Sequence, residues 1–409
     1  MTDPVAALGD ATEVERVFRE VHGQAVATLV RVFGDITIAE DAVQDAFVVA
    51  SARWRDDGIP PNPAGWIITT ARNRAIDDLR REARGREIQE QLGAVTNTSP
   101  EGDLVEDGPV SDDRLRLIFT CCHPALRTEH QVALTLRLLG GLSVDEVARS
   151  FLVSEPAMAK RLVRAKYKIR AANIPYRVPA DADLPERLRS VLSVLYLIYN
   201  TGADDPGRAL LRNEAIRLAR ALVELMPDEP EAAGLLALML LSESRVPARK
   251  TEGALVLLRD QDRTKWDSTM IEEGQAIVRA CIRRGRPGPF QLQAAIQAVH
   301  CDADSFEATD WDQIVALYDD LFSAMPTPVV ALNRAIAIGE IEGPGAALTA
   351  LDAIGPNLDN YHLMHAARGT TLRRLGQRDA AKAAYERAAH LAVTDADRRF
   401  LAQQIEELA

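Results

Sequence analysis

Apolar residues recur every three to four positions along most of the chain, which is the spacing of one buried face of an α-helix. This pattern runs from Glu13 to about Gly85, from Asp112 to Ala172, and from about Leu184 to Leu408. The segment DDGIPPNP, at 56–63, interrupts the first stretch with three prolines and a glycine, so it predicts a loop before a new helix. The chain is therefore predicted to be all-α.

An acidic segment separates the first two helical stretches. Periodicity is lost from Gly85 to Val110, and the residues from Ser99 to Asp113 include six acids and no base. Because like charges repel along such a segment, we predict a flexible linker over 91–110.

The last helical stretch contains traces of an internal repeat. Met226-Pro227 and Met325-Pro326 each separate two apolar helical segments, and their spacing is close to a multiple of the ~34-residue tetratricopeptide period. The best match to that consensus lies near the end and comprises Gly369, Leu372, Gly376, Ala381, Tyr385 and Ala388. We therefore predict stacked pairs of helices within 176–409.

Composition agrees with a helical globular protein, since hydrophobic residues make up 47% of the 409 positions and aromatic residues only 5%. Taken whole, the net charge of -12 argues against a nucleic-acid partner. Most of the acidic excess lies in 176–409, however, whereas two predicted helices in the first half are locally basic. The uneven distribution of charge therefore allows nucleic-acid binding by the first half.

The sequence lacks the motifs that are typical of several other classes of protein. The sequence has no run of about 18 apolar residues and no basic signal segment, which favours a cytoplasmic protein without a membrane partner. Adjacent Cys121 and Cys122 suit neither a disulfide framework nor a zinc site, so we predict no metal and no cofactor. The sequence has no phosphate-binding glycine loop, nucleophile elbow or HExxH motif, which argues against an enzyme.

The first basic helix begins at Trp66 and contains six arginines between positions 72 and 86. At helical spacing, one face of this helix carries Asn73, Asp77, and Arg80 or Arg81. Arginine side chains bind phosphates, and Asn and Asp side chains form hydrogen bonds with exposed base edges. The ring of Trp66 is suited to stacking on an unpaired base. The alternative is an amphipathic helix with Trp66 in the core and solvated arginines.

The second basic helix completes a helix-turn-helix pattern. Ser143 and Glu146 predict a capping box at the start of a short helix, and Ser154 is the predicted N-cap of a longer one. The longer helix has six basic residues and no acid over 156–170. Its inward face is predicted to carry Met158, Leu162, Ala165 and Ile169, and its outward face Lys160, Arg161, Arg164 and Lys168. Such a helix enters the DNA major groove, although a solvated basic helix of an ordinary bundle is an alternative.

These segments resemble one known family. AEDAVQDAFVVA (39–50) is similar to the polymerase-binding helix in region two of extracytoplasmic-function sigma factors, which belong to the sigma-70 family. GWIITTARNRAIDDLRR (65–81) resembles the part of region two that opens and reads the promoter -10 element. Residues 136–170 resemble region four, which reads the -35 element. Three later segments, 283–300, 309–321 and 328–338, resemble the subgroup with a C-terminal tetratricopeptide-like extension.

The resemblance implies a sigma region-2 helical bundle (11–90), the linker, a region-4 helix-turn-helix domain (111–175) and a regulatory helical extension (176–409). Polymerase-binding roles then fall on Asp41, Gln44, Asp45 and Phe47. DNA-binding roles fall on Trp66, Asn73, Asp77, Arg80 and Arg81 in region 2, and on Ser154, Lys160, Arg161, Arg164 and Lys168 in region 4. Ala159 and the turn at 154–156 depart from the common pattern of region four.

The predicted function is that of an alternative sigma factor, which directs core RNA polymerase to specific promoters and assists -10 melting. Its implied partners are core polymerase, promoter DNA and a protein partner of the extension, through which it would be regulated. The chief alternative is a helix-turn-helix transcriptional regulator that senses a ligand or peptide through its helical repeats. A helical-repeat scaffold without a DNA role is a more distant alternative.

Overall fold

The computed structural model describes residues 4–90, 110–151, 153–201, 209–251, 254–354, 357–392 and 394–408. These residues are mostly α-helical, which confirms the all-α prediction. The chain divides into two compact units, Met1–Leu218 and Ala219–Ala409. Within the described ranges, no helix combines the length and the apolar character needed to cross a membrane.

Three long helices open the first unit: α1 (Pro4–Phe33), α2 (Ile36–Asp57) and α3 (Pro63–Glu90). Asp35 caps α2 by accepting hydrogen bonds from the backbone N–H groups of Thr37 and Ile38. The α2 helix ends at Gly58, whose φ of 78° is a conformation that glycine adopts without steric cost. The predicted loop before a new helix is thereby confirmed, because α3 begins at Pro63.

The second group of helices comprises α4 (Val110–Cys121), α5 (Thr128–Leu134), a π-helical turn (Thr135–Leu139), α6 (Val144–Ser150) and α7 (Glu155–Ala171). The capping box of Ser143 and Glu146 is present at the start of α6, as predicted. Ser154 occupies the N-cap position of α7, but its side chain makes no capping hydrogen bond, so that part of the prediction is wrong. The predicted linker falls almost wholly on 91–109, outside the described residues.

Two helices of the predicted extension belong wholly or mainly to the first unit. They are α8 (Leu184–Thr201) and α9 (Ala209–Leu225), of which α8 packs against α4 and α5. Arg187 of α8 donates a hydrogen bond of 2.6 Å to the carbonyl oxygen of Phe119 at the end of α4. The division between compact units therefore comes at Leu218, well after the boundary expected near residue 175.

The second unit contains helices from α10 to α18. Their bounds are α10 (Pro230–Glu243), α11 (Ser268–Arg284), α12 (Pro289–Asp302), α13 (Trp311–Ala324), α14 (Pro328–Ile341), α15 (Pro344–Ile354), α16 (His362–Arg374), α17 (Arg378–Leu391) and α18 (Asp395–Glu406). A short antiparallel ladder, β1 (Lys250–Thr251) with β2 (Ala254–Leu255), lies between α10 and α11. Consecutive helices pack on each other, as the prediction of stacked pairs requires.

The pair α16 and α17 shows why the repeat consensus needs its small residues. A Cβ atom at Gly369 would lie 2.8 Å from ring atoms of Tyr385, which is fully buried in the facing helix. Gly376 has a φ of 74° in the turn between the two helices. The local consensus is therefore explained by close packing of one helix pair.

Candidate nucleic-acid interface

The predicted polymerase-binding residues lie on two sides of α2. Asp41 and Asp45 are exposed and Gln44 is half-buried, so these three lie at the surface. Phe47 is only 6% exposed, and its ring packs edge-on against that of Phe18 at 4.4 Å. A direct contact of Phe47 with polymerase stays a prediction, since the ring belongs to the core between α1 and α2.

A buried charge cluster on α2 was not found by sequence reasoning. Glu40 is 5% exposed, and its carboxylate accepts hydrogen bonds from Arg137 Nε at 2.6 Å and Lys166 Nζ at 2.9 Å. Gln44 Nε2 donates a third hydrogen bond to it at 3.1 Å. Arg137 comes from the π-helical turn and Lys166 from α7. The cluster therefore joins the predicted polymerase-binding helix to the second helix of the helix-turn-helix and to the π-helical turn that precedes its first helix.

The electrostatics of this cluster favour a charged Glu40. Burial alone would raise the pKa of Glu40, but the adjacent charges of Lys166 and Arg137 bring its pKa below the ordinary value. The pKa of the neighbouring Asp41 is raised, chiefly by burial and with contributions from the carboxylates of Glu40 and Asp45. Glu40 is thus held as an anion between two cations.

His22 of α1 lies beside the cluster. Its side chain is fully buried, and its Nδ1 lies 3.2 Å from the carbonyl oxygen of Leu138 in the π-helical turn. Burial, followed by the positive charge of Arg137, lowers the pKa of His22 to about 4. The imidazole is therefore neutral at neutral pH, with Nδ1 donating to the Leu138 carbonyl.

Further contacts hold α1 and the start of α2 against α4, the π-helical turn and α7. Arg31 of α1 forms an ion pair of 2.7 Å with Asp113 of α4, and Arg170 of α7 forms one with Asp35. A Cβ atom at Gly23 would lie 2.8 Å from the carbonyl oxygen of Leu139, so the two backbones approach closely there. We refer to this set of contacts, together with the Glu40 cluster, as the closed arrangement.

The predicted -10-reading residues share the outer face of α3. Asn73, Asp77, Arg80 and Arg81 are all exposed, as their spacing indicated. Arg81 is also bound to Asp78 through an ion pair of 2.6 Å. Trp66 is half-buried, and its ring meets that of Trp54 edge-on at 5.3 Å. One edge of Trp66 is thus supported by the buried Trp54 of α2.

The predicted -35-reading helix, α7, has the two faces that its sequence indicated. The inward residues Met158, Leu162, Ala165 and Ile169 are all buried, which confirms that prediction. Lys160, Arg164 and Lys168 are exposed, and they have no ion-pair partner within the described part of the chain. Arg161 is half-buried, because its guanidinium lies over the ring of Phe151 at 5.1 Å. Ser154 is exposed at the start of the helix.

The two predicted DNA-binding helices lie close together in this unit. Lys166 of α7 contacts Glu40, and Arg74 of α3 lies 3.6 Å from Asp45, which follows Glu40 in α2. Five residues of helix rise about 7.5 Å, so α3 and α7 contact α2 at positions about 7.5 Å apart along its axis. The closed arrangement thus brings the two predicted DNA-binding helices into one small volume.

Comparison with known proteins assigns these regions. Residues 17–85 match Sigma-70 region 2 and residues 116–169 match Sigma-70 region 4. The ECF RNA polymerase sigma factor SigK of Mycobacterium tuberculosis is 27% identical over 35% of this chain and 75% of its own length. The chain belongs to the extracytoplasmic-function sigma factors of the sigma-70 family.

The extension of this sigma factor has relatives of its own. Residues 187–282 match a family of unknown function (DUF6596), which spans α8 to α11. An uncharacterized protein of Rhizobium meliloti (strain 1021) is 42% identical over 94% of this chain and 93% of its own length. The sigma regions and the extension are therefore shared, in one chain, with that protein.

Proposed function

We propose that this sigma factor directs core RNA polymerase to a specific set of promoters, with α3 reading the -10 element and α7 the -35 element. The proposal rests on the exposed surfaces of α3 and α7. Each buries an apolar face and exposes a row of basic and polar side chains. Cations of this kind bind phosphates and guanine edges, and Asn73 and Asp77 suit the edges of unpaired bases.

Promoter geometry adds a conformational step to the proposal. The centres of the -10 and -35 elements lie roughly 25 base pairs apart, which is about 85 Å along B-DNA. In the closed arrangement α3 and α7 contact α2 at positions only about 7.5 Å apart along its axis, which is much shorter. Region 2 and region 4 would therefore separate before both elements are bound.

The proposal assigns polymerase binding to the exposed face of α2. Asp41 and Asp45 form an acidic surface there, and Gln44 lies between them. Part of the same helix is engaged by region 4 through Glu40 and Asp35. Core polymerase and region 4 would then compete for α2, so that polymerase binding itself favours the separated form.

Regulation through the extension is also part of the proposal. Its first helix, α8, packs on α4 and α5 and so supports region 4 directly. A protein partner or ligand that moved the extension would act on region 4 through this helix. The extension is thus proposed as the regulatory module of the sigma factor.

The decisive experiment adds the purified chain to core RNA polymerase and transcribes a genomic promoter library. The proposal predicts co-purification with core polymerase and initiation at a defined set of promoters. A helix-turn-helix regulator would bind duplex DNA without forming a holoenzyme, and a scaffold would do neither. Absence of a complex with core polymerase would overturn the proposal.

Two variants test the division of roles. Asp45→Lys reverses an exposed charge on α2 and is expected to weaken binding to core polymerase. Arg164→Ala removes an exposed cation from α7 and is expected to leave core binding intact while reducing promoter selectivity. Equal effects of the two variants on both measurements would contradict the assignment.

A further inference from the structure

The outer face of α7 carries two apolar side chains that sequence reasoning did not single out. Val163 is 63% exposed and Tyr167 is 68% exposed. With Lys160 and Arg164 they occupy positions i, i+3, i+4 and i+7, which form one continuous row on a helix. We call these four residues the groove row; it lies opposite the buried residues of α7.

The spacing of the groove row matches the way in which a helix presents side chains to the major groove. A homeodomain reads DNA with four residues of its third helix at this same spacing. Two members of the groove row are cations, which suit the N7 and O6 acceptors of guanine. The exposed valine between them has no hydrogen-bond donor and cannot bind such acceptors.

The major groove offers one apolar feature, the C5 methyl group of thymine. Val163 is compact and branched at Cβ, and in the row it lies between the cations Lys160 and Arg164. Tyr167 lies one turn further along and ends in a hydroxyl group, which suits a phosphate oxygen better than a methyl group. Val163 is therefore the member of the row whose chemistry matches the thymine methyl.

We propose that Val163 is a specificity-determining residue, which contacts the methyl group of a thymine in the -35 element, next to bases bound by Lys160 and Arg164. This inference rests on the proposed promoter-reading role of α7. It explains why an apolar side chain lies exposed among cations, because DNA binding would bury it.

The test uses the holoenzyme, formed from the full chain and core polymerase, and a promoter selected from the genomic library. Each thymine in both strands of the -35 element is replaced singly by deoxyuridine, which lacks only the C5 methyl. Binding is measured at fixed salt for the wild type, for Val163→Ala and for Val32→Ala. Val32 is 45% exposed on α1 and serves as the matched control for the same chemical change.

At one thymine, removal of the methyl is expected to weaken wild-type binding about fourfold, the value for burial of one methyl-sized group. Val163→Ala should bind the thymine and deoxyuridine promoters equally, whereas Val32→Ala should behave as the wild type. The inference is overturned if Val163→Ala keeps the full loss, or if no thymine substitution affects the wild type.

These outcomes are distinct from failure of the proposed function. If no holoenzyme forms, the proposed function is wrong and this inference falls with it. If the holoenzyme transcribes the promoter but is indifferent to every thymine methyl, only the role of Val163 is wrong.

Discussion

Glu40→Gln is the substitution that most directly tests the closed arrangement. It keeps the shape of the side chain but removes the negative charge that lies between Arg137 and Lys166. Glu40 and Arg137 have side-chain exposures of only 6% and 8%, and Lys166 of 17%. The substitution therefore leaves two largely buried cations next to each other without their counter-ion.

The expected magnitude follows from this burial. Removing one partner of a buried ion pair costs about 3–5 kcal/mol, because the other charge stays desolvated. In a separated form the same groups are solvated, and the loss is close to zero. A difference of about 3 kcal/mol shifts the closed-to-separated ratio roughly a hundredfold. If the closed form dominates in the wild type, apparent affinity for core polymerase should rise by up to that factor.

The assay is equilibrium binding of the labelled chain to core RNA polymerase, with thermal unfolding to show that each variant is folded. Because Glu40 lies on the predicted polymerase-binding helix, Gly23→Ala provides an independent perturbation on α1. Alanine is more favourable than glycine within a helix by about 1 kcal/mol, so the substitution does not weaken α1 itself. Its Cβ, however, would lie 2.8 Å from the Leu139 carbonyl oxygen and so disturb the closed arrangement. Glu129→Gln, at an exposed position on α5, is the control for charge removal.

Both Glu40→Gln and Gly23→Ala should bind core polymerase more tightly than the wild type, and Glu129→Gln should not. If both variants are folded and neither binds more tightly, the closed arrangement does not limit polymerase binding and the reasoning is wrong. Weaker binding by Glu40→Gln together with tighter binding by Gly23→Ala would show that Glu40 also contacts polymerase.

Three further predictions concern stability. Burial lowers the pKa of His22 to about 4, so the stability that the neutral imidazole contributes is complete above pH 6.5 and is lost as pH falls towards 4. The free energy of unfolding should therefore drop by about 2 kcal/mol from pH 7 to pH 5. In pH-dependent melting, His22→Gln should abolish this His22-dependent drop. A chain ending at residue 179 lacks α8 and should aggregate, whereas one ending at residue 225 should melt cooperatively by circular dichroism. Gly369→Ala should destabilise the second unit by about 1–3 kcal/mol in denaturant titration, because its Cβ meets an aromatic ring of α17, whereas Gly345→Ala, which meets no atom within 4 Å, should not.

Features encoded within a few residues could be predicted from the sequence. The capping box at Ser143, the loop before α3 and the inward face of α7 all depend on side chains within one or two helical turns. The predicted side-chain cap at Ser154 failed, although its N-cap position was right. Local patterns thus gave element positions more reliably than individual hydrogen bonds.

Features that depend on distant partners could not be predicted in this way. Glu40 meets Arg137 and Lys166 across sequence separations of 97 and 126 residues. One available signal was Arg137 itself, a lone charge within the apolar run of 132–142. The π-helical turn that carries Arg137, and the packing of α8 on region 4, had no local signature.

The sequence by itself determined the helices, their buried faces and the two basic rows, because helical periodicity and charge are properties of neighbouring residues. These rows and the resemblance they carry were sufficient to indicate a sigma factor. Only the tertiary structure decided that α2, the predicted polymerase-binding helix, lies against region 4 through buried charges, and that Phe47 belongs to the core. The physical reason is that an amphipathic face specifies burial without specifying its partner, which depends on the fold of the whole unit.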